Sequence, residues 1–285
     1  MVRRQRVDSD KELKLIANTI RQDVVKMVGM AKSGHVAGAL GLAEIFSVLF
    51  FSEMNFDVKN PRWEERDRFV LSNGHVCAAY YSAMAHAGYF PINELDRFRQ
   101  LGSPLQGHPS RKYLAFIENS SGPLGEGLGV SCGIALAMRL DGRNARVYCI
   151  TSDGEHQEGS TWEAVLFAAK YGLDNLTVIM DRNYIQIDGN TEEIMPLEPI
   201  EEKYRAFNWN VISIDGNNIV EIKDALANAK KTGGKPTMII ARTVPGKGVS
   251  FMERNHRWHG TPPKEDETKR AIAELEAERR RIEME

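Results

Sequence analysis

Two hydrophobic patterns alternate along the chain. Residues 9–31 place Leu13, Ile16, Ile20, Val24, Val25 and Val28 at helical spacing, with Ser9 or Asp10 available as the cap. "KSGHVAGALG" (32–41) is glycine-rich and breaks that period, and "LAEIFSVLFFSE" (42–53), apolar on almost every side, predicts a buried helix. Short apolar runs then predict strands over 67–72, 145–150, 175–181, 209–215 and 236–242. Helical stretches separate most of them: one opened by "NGHVCAAYYSAMAHAGY", "GPLGEGLGVSCGIALAMRL" as a loop feeding a helix, "STWEAVLFAAKYGL", and "NIVEIKDALANAKKTG" ending at Gly233. Residues 101–123, rich in Gly, Pro and Ser, read as irregular, and 264–285, almost wholly charged, as a solvated helix.

The strands are continuous apolar runs, not alternating ones. That pattern predicts an α/β fold, a parallel sheet with helices on both faces. Such sheets bind ligands beyond the carboxyl ends of their strands. "SNGH", "SDGE", "DRNYIQIDG" and "RTVPGKG" each follow a predicted strand, so candidate chemistry gathers at one edge.

Composition narrows the classes. The 285 residues carry a formal net charge of −2, with 42% hydrophobic and 27% charged residues, so nothing argues for nucleic acid or an anionic membrane surface. The cysteines, Cys77, Cys132 and Cys149, are scattered and make no CxxC pair, against a disulfide framework or structural zinc. "MVRRQRVDSDKELK" has no apolar run behind it and no stretch is long enough to span a bilayer, so the expected address is the cytoplasm.

Asp153 stands at one predicted strand end and Asn183 at the next, thirty residues on. A carboxylate, an amide oxygen and a nearby carbonyl are hard donors, too few to enclose a metal alone but suited to Mg²⁺ shared with phosphates and water. Singly, each also reads as a capping Asp or a turn Asn. "SGPLGEGLG" fails the dinucleotide fingerprint because it precedes its strand. Its Gly125, Gly129 and Gly133, with Ala137, form a bare strip on one helix face that reads as close helix packing. Four of the seven histidines, His35, His75, His108 and His259, adjoin a glycine, which suits diphosphate binding and proton shuttling as well as plain turns. His256 and His259, three apart, are a weaker two-histidine metal candidate. Glu158 and Glu163 suit a helix N-terminus or a subunit interface. Glu155 and His156 read as surface turn residues. No nucleophile elbow, Walker lysine or Cys–His pair is present, so a cofactor is expected to do the hard chemistry.

The set "SGHVAGALG", "SNGHVCA", "QGHP", "GPLGEG", "SDGEHQEGSTWEA", "DRNYIQIDG" and "SFMERNHRWHG", in order from about residue 12 to 263, resembles the diphosphate-binding domain of transketolase. The resemblance implies a thiamine-diphosphate-binding domain over 1–263 followed by the charged helix 264–285. It implies Mg²⁺ (or Ca²⁺) held by the side chains of Asp153 and Asn183 and the carbonyl of Ile185. Gly154 belongs to the same signature, and Gly122 and Leu124 touch the cofactor through backbone atoms. His75 and His259 reach the diphosphate, and His35, His108 and His259 line the substrate channel. Glu158 joins an acid network across a subunit interface. "SDG" replaces the usual GDG, Glu126 stands where glutamine is common, and Pro245 where some relatives carry a cofactor-contacting lysine. Family enzymes continue for several hundred residues more, so the resemblance implies one half of a split enzyme. It would act on sugar phosphates of the pentose phosphate pathway with a partner chain bearing the pyrimidine-binding domain, as a heterotetramer. The rival readings are one chain of a deoxyxylulose-phosphate synthase or keto acid dehydrogenase, and a non-catalytic regulatory chain.

Overall fold

The computed structural model describes residues 6–285. Residues 1–5, which open the charged N-terminal stretch and the expected domain, lie outside the described residues. Helix α1 (Asp10–Ala31) starts where the Ser9 hydroxyl accepts from the Glu12 amide, and it buries Leu13, Ala17, Ile20, Val24, Val25 and Val28. The glycine-rich segment breaks the helix but is not irregular throughout. It forms a short buried helix, α2 (Ala37–Gly41), and α3 (Ala43–Val48) continues into a wider turn, Leu49–Glu53. Small residues allow this: a Cβ on Gly41 would stand 3.0 Å from the Val244 carbonyl.

Strand β1 (Arg68–Leu71) leads to α4 (Cys77–Ala87), and α5 (Gly127–Leu140) to β2 (Val147–Ser152). After α6 (Gly159–Lys170) comes β3 (Leu176–Arg182), then a small antiparallel hairpin, β4 (Ile185–Gln186) and β5 (Gly189–Asn190). Short helices α7 (Thr191–Ile194) and α8 (Ile200–Ala206) precede β6 (Asn210–Asp215), α9 (Ile219–Lys231), β7 (Thr237–Arg242) and α10 (Glu265–Met284). The main sheet has five strands in the order β1-β2-β3-β7-β6, all parallel.

Alternate residues of the central strands feed two cores. Tyr148, Ile150, Ile179 and Ile239 pack on the side of α1, α3, α4 and α9. Val147, Cys149, Val178, Met180 and Ile240 pack on the side of α5, α6 and α8. With β2 and β3 buried along their whole length, both faces are covered, as the continuous apolar runs predict.

The charged helix α10 does not stand free in solvent. It lies along α1 and buries Ala271, Leu275 and Ile282. The Leu275 carbonyl accepts from the buried Asn18 amide at 2.9 Å. Most of its charges lie on the outer face, though Arg279 reaches Thr19 of α1, so composition alone overstates its exposure.

Candidate functional site

Parallel strands bring their carboxyl ends to one edge. Ser72 continues β1 by donating its amide to the Ile150 carbonyl, and Asp153 continues β2 by donating to the Asp181 carbonyl at 3.1 Å. Beyond that edge lies a cleft of about 430 Å³, partly open to solvent. His35, His75, His108, His259, Gly122, Leu124, Gly154, Glu158, Asn183 and Ile185 all line it. The motifs therefore converge although they span more than two hundred residues.

Three histidines cluster at one wall. The ring centroids of His35 and His75 lie 5.1 Å apart, those of His75 and His259 5.2 Å, and those of His35 and His259 5.6 Å. Burial pushes His35 down to about 4, helped by repulsion from His259, Arg99 and His108. Burial also holds His75 well below its ordinary value, and lowers His108 and His259. All four imidazoles are neutral near pH 7, able to donate at one nitrogen and accept at the other. His108 stands at the rim, 3.8 Å from where a Gly122 Cβ would sit. His256 is exposed and does not line the cleft that His259 lines, and no metal-holding cluster of three or more His, Cys, Asp or Glu exists among the described residues.

Asp153 is fully buried. Its Oδ1 accepts from the Gly154 amide at 2.7 Å, and its Oδ2 accepts from the Tyr184 amide at 2.7 Å and from Arg182 at 3.1 Å. Burial raises it to about 6 against the pull of Arg182. The Tyr184 contact places the carboxylate against the turn that carries Asn183 and Ile185. Asn183 donates to Asp181 at 2.7 Å, which fixes its amide orientation, while its Oδ1 accepts from the Ile185 amide at 2.9 Å. An oxygen of each side chain keeps a free lone pair, the kind of hard donor a divalent cation takes, although Asp153 lies behind the cleft lining rather than in it.

Several buried polar atoms have no partner: both amide atoms of Asn73, Nδ1 of His35 and of His259, Ser121 Oγ and Gln186 Oε1. Buried polar groups are almost always paired, and of these residues His35, His259 and Gln186 line the cleft, so their free atoms fit a polar ligand there. The loop before α5 comes close to the strand ends because it is glycine. Gly125 has φ +84°, and a Cβ there would meet Ser160 Oγ at 2.5 Å and Glu158 Cβ at 2.7 Å. The cleft, its hard oxygens and its unpartnered donors thus fit a diphosphate accompanied by a divalent cation.

Some residues depart from expectation. Glu155 and His156 are not surface turn residues; both are buried. Glu155 accepts from the Ser72 hydroxyl, from the Gly125 amide at 2.7 Å and from the Ser152 amide at 3.1 Å, tying two strand ends to the glycine loop. His156 bridges the Ser152 carbonyl and the Tyr204 hydroxyl, each at 2.7 Å. The strip Gly129, Gly133 and Ala137 is exposed, and nothing lies within 4 Å of a Cβ at either glycine, so it packs on no helix of this chain. Arg182 and Asp181, which orient Asp153 and Asn183, escape a reading of the sequence. Their signal is a charged "DR" closing an apolar strand.

An open parallel sheet with glycine loops, a carboxylate–amide pair and histidines at its carboxyl edge defines an α/β protein built to bind a coenzyme diphosphate. The chain belongs to the transketolase family: residues 12–281 match the family described as "Transketolase, thiamine diphosphate binding domain". It is 45% identical over 262 residues to the 6-deoxy-6-sulfo-D-fructose transketolase subunit SqwG of Clostridium sp. (strain MSTE9), covering 92% of this chain and 95% of that protein. It is 38% identical to an apulose-4-phosphate transketolase subunit of Actinobacillus succinogenes, covering 94% and 97%. Among solved structures, transketolase from Campylobacter jejuni superposes with a TM-score of 0.87 at 36% identity, covering 96% of this chain and 46% of that one. Transketolase from Pichia stipitis in complex with sedoheptulose 7-phosphate gives 0.88 at 34% identity, covering 96% and 44%. The chain thus spans nearly the whole of the subunit-type relatives and less than half of the solved transketolases.

Proposed function

We propose that this chain is the diphosphate-binding subunit of a two-chain transketolase that moves a two-carbon ketol unit from a ketose phosphate to an aldose phosphate. The observation that carries the reading is the wall of His35, His75 and His259 in one cleft with Gly154, Asn183 and Ile185, in a chain of the length of proteins named transketolase subunits. In this reading Asp153, Asn183 and the Ile185 carbonyl hold Mg²⁺ (or Ca²⁺). Gly154 leaves room for the diphosphate, Gly122 and Leu124 meet the cofactor through backbone atoms, and His75 and His259 donate to it. Thiamine diphosphate, when bound, supplies the electron sink that a two-carbon carbanion equivalent needs. His35, His108 and His259 stand along the sugar's path, with His108 facing a donor hydroxyl. As neutral imidazoles they take a proton from a hydroxyl and return it. The names of the relatives add sugars with a sulfonate or phosphate terminus to the candidate substrates.

The partner chain would bring the pyrimidine-binding domain and close the cleft, with Glu158, exposed at its edge, reaching across to it in a heterotetramer. A cytoplasmic setting agrees with the absence, among the described residues, of any helix long and apolar enough to cross a membrane. The test combines this chain, its partner, thiamine diphosphate and Mg²⁺ with a ketose phosphate and an aldose phosphate. Two-carbon transfer by the mixture and by neither chain alone is expected, with loss on Asp153→Ala or on chelation of the metal. Transfer by this chain alone, or none by a verified pair, would overturn the reading.

A further inference from the structure

We infer that Arg182 is a positioning residue of the cation site, which selects the ligating oxygen of Asp153 and has its own charge cancelled by Glu192 and Glu198. The inference rests on the reading of Asp153 as a ligand of the divalent cation.

Arg182 closes β3 and has no exposed side-chain surface. Its Nη1 donates to Asp153 Oδ2 at 3.1 Å and to Thr191 Oγ1 at 2.9 Å. Its Nη2 donates to Glu192 Oε1 at 2.6 Å and Glu198 Oε1 at 2.9 Å, and its face covers the Tyr184 ring, 4.0 Å to the centroid. Asp153 Oδ2 also accepts from the Tyr184 amide, so that oxygen is occupied twice, while Oδ1 accepts only from Gly154. A carboxylate oxygen offers about two lone-pair sites. Oδ1 is therefore the oxygen left to ligate, and Arg182 with Tyr184 makes that choice.

A bare guanidinium beside the site would repel a divalent cation. Here two carboxylates bind its far side, so the group Arg182–Glu192–Glu198 is net anionic and its field favours a cation. The two glutamates belong to α7 and the segment after it, where Glu192 also accepts from the Leu197 and Glu198 amides. The 191–198 segment is thus wrapped around the guanidinium, and occupancy of the cation site is coupled to its order. Fold stability alone does not call for this arrangement, because a buried ionic network can often be replaced by apolar groups at no cost.

The experiment is calorimetric titration of Mg²⁺ into the assembled two-chain protein with thiamine diphosphate present, paired with unfolding temperatures of the metal-free protein. Arg182→Gln is expected to weaken Mg²⁺ by about 10–100-fold, as loss of an orienting partner does. Glu192→Gln/Glu198→Gln keeps Arg182 in place but uncancels its charge, and is expected to weaken Mg²⁺ about tenfold with a stronger dependence on salt. It changes two partly exposed side chains that do not line the cleft, so it remains informative even where Arg182→Gln fails to fold. Wild-type Mg²⁺ affinity in a folded Arg182→Gln protein, or in the double variant, would overturn the inference. Asp153→Asn with undiminished Mg²⁺ affinity would instead overturn the assignment of Asp153 as ligand.

Discussion

Glu155 and His156 lie directly after the proposed cation ligand, and both spend their polarity inward. Glu155→Gln keeps the size but replaces one of two accepting oxygens by an NH₂. At least one of the Ser72, Ser152 and Gly125 donors then loses its acceptor, and a loss of about 1–3 kcal/mol is expected in urea unfolding. His156→Ala should cost about 2–4 kcal/mol near neutral pH, from the cavity and two stranded hydrogen-bond partners. The cost has a pH signature. Burial pushes His156 down to about 4, so between that value and the ordinary 6.5 the unfolded chain binds a proton that the native state does not. Wild-type stability from this group is complete above the unfolded value and falls on acidification. The gap between wild type and variant should therefore narrow by about 2 kcal/mol between about pH 7.5 and about pH 5. A gap independent of pH would show that the imidazole is not held neutral. Asp153, Asn183 and the glycine-flanked histidines were legible as candidates because each follows a strand or breaks a helix. Glu155 and His156 were not, because polarity in a turn predicts exposure, and only the depth at which β2 ends makes that turn an interior one.

At the scale of elements, the five sheet strands were legible as short apolar runs and the long helices from their period. Strand order was not: β7 enters between β3 and β6, a choice set by crossovers and by how α9 packs, neither of which leaves a periodic trace. The hairpin β4–β5 and helices α7 and α8 were missed because each is too short to show a period, and α2 because glycine argued against it. The helix α10 was legible in extent but not in role. Leu275→Ala is expected to destabilise the chain by about 2–4 kcal/mol, since this fully buried leucine packs α10 onto α1. A solvated helix would lose almost nothing in the same urea measurement. Gly125→Ala puts a side chain at φ +84° and against Glu158 and Ser160. It should displace the loop and weaken thiamine diphosphate at least tenfold in a calorimetric titration, if that loop cradles the cofactor.

At the scale of the molecule, α5 and α6 pack on each other and leave an apolar outer face with Val130, Leu140, Leu166, Phe167 and Tyr171 exposed beside the bare glycine strip. Under the proposed function this face meets another protomer, and Gly133→Glu should lower the assembled mass in sedimentation. It should not lower the stability of the isolated chain, because nothing lies within 4 Å of that position and glutamate is the better helix former.

The histidine wall has a consequence for how the site keeps its protons. Each ring of His35, His75 and His259 lies within 5.6 Å of the other two, so a proton taken by one raises the cost of a second on its neighbours. The three rings then titrate as one shared system whose apparent values belong to the group. NMR titration of the imidazoles should give curves that broaden together, with replacement of His259 moving the midpoints of both His35 and His75 upward. The wall then stays neutral near pH 7 and, on acidification, takes its first proton as a group rather than ring by ring.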